Sequence, residues 1–153
     1  MVIYGRGGHG VVVRDVLNAL SRRYDDTWTF LAIGDNVARK RMADYLQETC
    51  YPILIHPSAT VSDSATIGTG TIIMAGVVIQ GCARIGKQCI VNTCASVDHH
   101  SVVGDFGHLA PGARLCGDVQ IGDGVLVGVG VGIEPGVTIS AWSTVKRIPY
   151  VIN

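Results

Sequence analysis

The chain has 153 residues, balances 12 Lys+Arg against 12 Asp+Glu, and carries only 16% charged residues. That length excludes a separate large catalytic domain, and with no Lys/Arg stripe the electrostatic footprint of a nucleic-acid or anionic-lipid binder is missing. Small molecules and further copies of the chain are the expected partners, and five cysteines (Cys50, Cys82, Cys89, Cys94, Cys116) without paired zinc-type spacing indicate buried thiols in a reducing, cytoplasmic compartment.

In chain order, Met1 to Tyr4 reads as a short strand, Gly5-Arg6-Gly7-Gly8-His9-Gly10 as a tight turn, and Val11 to Leu20 as a helix. Arg6, Arg14 and Asp15 interrupt this start and no apolar run reaches about 18 residues, so neither a signal peptide nor a membrane span is expected. A second buried strand fits Thr27 to Ile33, closed by Gly34-Asp35-Asn36. Val37 to Glu48 then reads as an amphipathic helix with Asn36 as its candidate N-cap. Residues 1–54 thus form a small, abbreviated α/β (Rossmann-like) unit. Its Gly5-x-Gly7-x-x-Gly10, between strand and helix, suits either a phosphate-binding turn or a plain structural one. A complete dinucleotide fold would need a further βα unit and an acidic residue ending the second strand.

From Ile55 to Val145 every sixth residue is Ile, Leu or Val, a β-helix signature. The fifth residue of each hexapeptide, from Ala59 to Ser143, is never larger than Val. Ile-Gly or Val-Gly pairs at 67–68, 85–86, 103–104 and 121–122 recur every eighteen residues, so three hexapeptides make one coil. Residues 55–153 are therefore expected to form a mainly β domain, a parallel β-helix of about five coils stacked about 4.8 Å apart. Its interior is filled by the repeating aliphatics, which places any chemistry on an outer face or between subunits.

One stretch of the repeats is unusually polar: Asn92-Thr93-Cys94-Ala95-Ser96-Val97-Asp98-His99-His100, then Gly104-Asp105-Phe106-Gly107-His108. The eighteen-residue stack sets Gly81 and Gly117 on either side of His99, so its imidazole is expected to be bare on both faces, with Asp98 beside it. The competing reading makes His99 and His100 solvated turn residues. His108 has Ile90 and Leu126 as stacking neighbours and reads as either packed or functional. A zinc site of His99, His100 and His108 is a further reading, but zinc histidines on this kind of fold come from separated coils and two subunits, a spacing not reproduced here; no metal is expected.

Tyr4 to Gly10, Leu31-Ala32-Ile33-Gly34-Asp35-Asn36, His56-Pro57-Ser58-Ala59, and Asn92-Thr93 through Asp98-His99 to His108 together resemble the hexapeptide-repeat sugar acetyltransferases of bacterial surface-glycan synthesis. The best-matched branch acetylates the amino group of UDP-4-amino-sugars, of the UDP-N-acetylbacillosamine type. The resemblance implies a left-handed β-helix, a handedness that spacing does not show and that runs against the usual crossover rule. It also implies a homotrimer with sites between adjacent prisms, acetyl-CoA as co-substrate, and direct acetyl transfer to a nucleotide-sugar amine. By the same resemblance His99 is the general base and Asn92 lies in the site. His108, Gly117 and Val129 then meet acetyl-CoA, while Gly7, Gly8, His9, Gly34 and Asn36 hold the nucleotide-sugar.

Elementary chemistry agrees with those roles. An amine attacking a thioester must lose a proton, and a histidine, with an ordinary pKa of about 6.5, suits that task near neutral pH. The Gly117 N–H is a candidate oxyanion donor. Arg114, Lys146 and Arg147 are either cations for coenzyme A phosphates or solvated surface charges. The chain also departs from the family pattern. The residue after the base is commonly acidic but here is His100, which leaves either Asp98 to supply a carboxylate or a weaker base. A second N-terminal strand ending in Phe-Leu-acid has no counterpart between Leu20 and Trp28, and the repeats stop roughly one coil early near Pro149. The alternatives are sugar O-acetylation of the sialic acid type and a truncated trimeric scaffold without catalysis.

Overall fold

A computed structural model of the chain describes residues 1–5, 7–20, 27–47 and 50–146. Arg6, Glu48, Arg147 and Pro149, named above, lie outside those residues, as does most of the stretch between Leu20 and Trp28. Strand β1 (Val2–Tyr4) pairs in parallel with β2 (Thr29–Leu31), Ile3 opposite Phe30. Between them helix α1 (Gly8–Ala19) buries Gly10, Val13 and Val16, three residues apart on one face. The helix begins inside the glycine turn, ahead of the expected Val11. A Cβ on Gly10 would lie 2.5 Å from the Gly5 carbonyl oxygen, and one on Gly5, at φ +129°, would collide with the Ala32 carbonyl. Two missing side chains thus let the turn close and the helix start at once.

Helix α2 (Asn36–Leu46) is capped by Asp35, whose carboxylate accepts from the Ala38 N–H at 2.7 Å. The expected cap, Asn36, is instead the first helical residue and is buried. An aspartate one residue earlier satisfies the same orphan donor and adds a negative charge at the positive end of the helix dipole. Further along, Lys40 pairs with Asp44 at 2.6 Å, one turn on.

From Leu54 to Val145 the chain winds through two-residue strands in three all-parallel sheets of five, five and six strands. Each strand pairs with the one eighteen residues on, as in Ser96↔Arg114, Val102↔Gln120 and His108↔Leu126. The sixth-residue aliphatics, among them Ile73, Ile79, Val91, Val97, Leu109 and Leu115, fill the interior with fifth-position residues such as Val77, Ala83, Ala95 and Val119. At two buried fifth positions a hydroxyl links coils: Thr71 Oγ1 donates to the Gly86 carbonyl and accepts from the Cys89 N–H. Ser101 Oγ likewise donates to the Cys116 carbonyl and accepts from the Val119 N–H, so neither buried hydroxyl is orphaned.

A second apolar cluster joins the two regions. Val13, Val16, Phe30 and Ala32 pack on Leu54, Ile72, Met74 and Ile90, the outer side of the six-stranded sheet. The α/β unit therefore covers one face of the prism. The other two sheets carry no such cover among the described residues. No helix among them is long and apolar enough to cross a membrane.

Candidate active site

His108 opens the strand His108–Leu109 in the sheet beneath the α/β unit, paired with Ile90 and Leu126 as the eighteen-residue register requires. Its Nδ1 lies 3.2 Å from the Gly34 carbonyl oxygen. A carbonyl only accepts, so Nδ1 carries the proton and Nε2 keeps its lone pair. That lone pair faces the Asn92 Nδ2 at 3.4 Å, while the Asn92 Oδ1 accepts from the Thr93 N–H at 2.8 Å. His9, from α1, stands with its ring centroid 6.2 Å from that of His108, and its buried Nε2 has no hydrogen-bond partner. Burial, with the positive charge of Arg39 behind it, pushes both histidines from 6.5 down to about 4, so both rings are neutral near pH 7.

Arg39 is 1% exposed, and its fork donates to four main-chain oxygens and one side-chain oxygen. Nε reaches the Gln88 carbonyl, Nη1 those of Ile33 and Gly34, and Nη2 the Phe106 carbonyl and Asn36 Oδ1. Asn36 Nδ2 in turn donates to the Gly124 and Val125 carbonyls at 3.0 and 3.3 Å. Gln88, Phe106 and Gly124 occupy the same turn position on three successive coils, each at positive φ. One arginine and one asparagine thus tie α2 across three coils. Burial lowers the Arg39 pKa to about 10, which still leaves it charged.

A second group lies one corner further along the coil, after the strand Ser96–Val97. His99 and His100 are both exposed, their rings edge to face at 5.4 Å with the two Nδ1 atoms 3.2 Å apart. The imidazole of His99 lies over Gly117: a Cβ there would sit 2.5 Å from Cε1 and 2.7 Å from Nε2. The expectation of a ring bare on both sides is corrected by this contact, because the space that Gly117 leaves is filled by the ring itself. Gly81 makes no such contact with the ring: a Cβ there would meet the Ser64 and Ser62 hydroxyls, at 3.4 and 3.9 Å. Asp98 does not face the imidazole with its bonded oxygen: Oδ1 accepts from the His99 main-chain N–H at 2.8 Å, shaping the turn. The ring's hydrogen-bonding neighbour is the second imidazole.

No family model matches the chain. Its sequence is 33% identical over 138 residues to GDP-perosamine N-acetyltransferase of Escherichia coli O157:H7, across 89% of this chain and 62% of that protein. The acetyltransferase domain of PglB from Neisseria gonorrhoeae, solved with acetyl coenzyme A, matches with a TM-score of 0.85 and 30% identity, covering 94% of this chain and 85% of that one. PerB from Caulobacter crescentus, solved with CoA and GDP-perosamine, matches at 0.75 and 32%, covering 95% and 88%. The chain belongs to the hexapeptide-repeat sugar acetyltransferases. As in that family, it is a left-handed parallel β-helix preceded by a small α/β unit, the fold class expected from the repeats and, for its hand, from the resemblance. It spans less than two thirds of the length of the curated relative it matches.

Against this family's expected site, the chain brings His9, Gly34, Asn92 and His108 together under the α/β unit and sets Asp98, His99, His100 and Gly117 apart from them. Asn92 therefore stands with His108 rather than with His99. Val129, 67% exposed, holds the position of Thr93, the residue after Asn92, two coils on. Gly7 and Gly8, at the start of α1, have no atom within 4 Å of where a Cβ would stand, so their backbone faces open space. Gly34, Asp35, Asn36 and Val37 line a cavity of about 160 Å³ with Gly124, Leu126 and Trp142. Another cavity, of about 230 Å³, lies on the face between the two groups, lined by Gln80, Ser96, Asp98, Arg114 and Cys116. Arg114 thus opens onto a hollow beside the His99 corner, while Lys146 is exposed at the last described coil. Two residues escaped sequence reasoning. Arg39 left no local signal because nearly all its partners are main-chain carbonyls, two of them far along the chain. Asp118 was within reach, since it stands eighteen residues after His100.

Proposed function

We propose that the protein transfers an acetyl group from acetyl-CoA to the amine of a nucleotide-linked 4-amino-sugar, with His99 as general base. The observation that carries this reading is the exposed His99 imidazole, held at a prism corner of a fold whose relatives were solved with acetyl coenzyme A. With Nδ1 engaged by His100, Nε2 is left to take the proton. The amine forms a C–N bond to the thioester carbonyl, the proton passes to His99, the C–S bond breaks, and the coenzyme A thiolate receives the proton. The Gly117 N–H is assigned to the developing oxyanion.

The nucleotide-sugar is assigned to the Gly7, Gly8, His9 and Gly34 end, and acetyl-CoA to His108, Gly117 and Val129. One corner separates His99 from the Asn92–His108 pair within a chain, which supports a trimer in which His99 of one subunit meets that pair on the next. UDP-linked sugars follow from the motif resemblance, and relatives named for GDP-perosamine add GDP-linked ones. Five free thiols, of which Cys89 alone is buried rather than all five as expected, and a nucleotide-sugar substrate suit the cytoplasm. A free-thiol assay with acetyl-CoA and UDP- or GDP-4-amino-sugars tests the reaction. Amine-dependent release of coenzyme A is expected, falling about 10²- to 10⁴-fold in His99→Ala. No turnover with any amino sugar, or full activity in that variant, would sink the assignment.

A further inference from the structure

His100 and Asp118 hold the same corner position on successive coils, both at φ 60°. The Asp118 N–H donates to the His99 carbonyl at 3.0 Å, which sets the aspartate over the histidine pair. One ligating atom from each of His99, His100 and Asp118 lies within 4.8 Å of the others. The two Nδ1 atoms are 3.2 Å apart. Two nitrogens bound to one zinc ion at 2.0–2.1 Å in a tetrahedron lie about 3.3 Å apart, nearly the same bite. Two imidazole lone pairs at this distance repel unless one ring's N–H proton or a metal ion stands between them.

We propose that His99, His100 and Asp118 form a Zn²⁺ site of two imidazole nitrogens and one carboxylate oxygen, with the fourth position left to water. Imidazole nitrogen and carboxylate oxygen are both good zinc ligands, and three protein ligands with one open position is a common zinc arrangement. Exposure of all three residues gives the ion free entry. Zinc takes the place of the proton between the two rings, which moves to Nε2 of the ring that carried it, so the neutral pair becomes two nitrogen ligands without a change of charge. An occupied site also engages the imidazole assigned as base, and zinc then acts as a brake on transfer. The brake rests on the proposed function; the site does not.

Equilibrium dialysis of the whole chain against ZnCl₂ is expected to give one ion per chain. His100→Ala and Asp118→Asn each remove a ligand and should weaken binding by more than the 10- to 100-fold typical of an outer-shell group. Cys82 occupies the same corner one coil before His100 and is the nearest rival by stacking. Cys82→Ser should leave the affinity unchanged, and bound Co²⁺ should show no sulfur-to-metal charge transfer. Binding that survives both ligand variants, that is lost with Cys82, or that shows such a band overturns the site. In a separate thiol assay, inhibition by zinc reversed by EDTA supports the brake, and undiminished transfer with zinc bound overturns it. Absence of any transfer counts against the acetyltransferase reading alone, because dialysis reads the site directly.

Discussion

A methyl group on Gly117 would press into the His99 ring at 2.5 Å, yet His99 is exposed and free to swing away. Gly117→Ala is therefore expected to leave the melting temperature close to wild type while displacing the proposed base. Turnover should fall about a hundredfold, the scale of a 1 Å misplacement; steady-state kinetics beside a melting curve checks both halves. His9 and His108 make a different prediction. Their folded pKa values, about 4, lie below the ordinary 6.5 of the unfolded chain, so between those values the unfolded state binds more protons. Their neutral burial costs nothing above pH 6.5 and increasingly opposes folding as pH falls through that window toward 4. Melting temperature should drop across it, and the double variant His9→Gln/His108→Gln should flatten the drop. At this scale the sequence showed which histidines to suspect, and the eighteen-residue stack correctly put glycine beside His99. It could not show whether that glycine's space stays open or receives the ring, because a side-chain rotamer decides that.

At the scale of elements, α2 is held to the prism by polar groups rather than by a broad apolar face: its buried residues are Asn36 and Arg39. Removing Arg39 would orphan carbonyls on Ile33, Gln88 and Phe106 at once. Since each buried unsatisfied group costs about 1–3 kcal/mol, Arg39→Met should destabilise by about 3 kcal/mol or more in denaturant unfolding. Arg39→Lys should recover only part of that, because a point charge cannot replace a planar fork. Faster amide exchange in α2, with the repeats still protected, would locate the loss; an unchanged midpoint would refute the clamp. Gly34 accepts from both Arg39 and His108, so the same variant should also loosen the His108 ring. The helix itself was legible from its pattern, within a residue or two of its observed bounds. Its attachment was not, because carbonyl partners 49 and 67 residues away leave no mark in side-chain periodicity.

For the whole molecule, the proposed site between subunits can be tested by complementation. His99→Ala and His108→Ala chains, each impaired alone, should regain activity when assembled together. In a cyclic assembly where each site takes one residue from each neighbour, random mixing gives about one quarter of sites both intact histidines. Recovery absent from verified mixed trimers would place each site within one chain. What the sequence by itself determined is the repeating prism: sixfold spacing of aliphatics, small fifth residues and an eighteen-residue coil are local rules repeated many times, and every strand pairing obeys them. What only the tertiary structure decided is how the non-repeating parts meet it. The Arg39 clamp, the shared proton geometry of His108 and Gly34, the His99 ring over Gly117 and the closeness of Asp118 to two imidazoles each depend on one side chain taking one rotamer against a distant backbone. No periodicity encodes such contacts, since each occurs once.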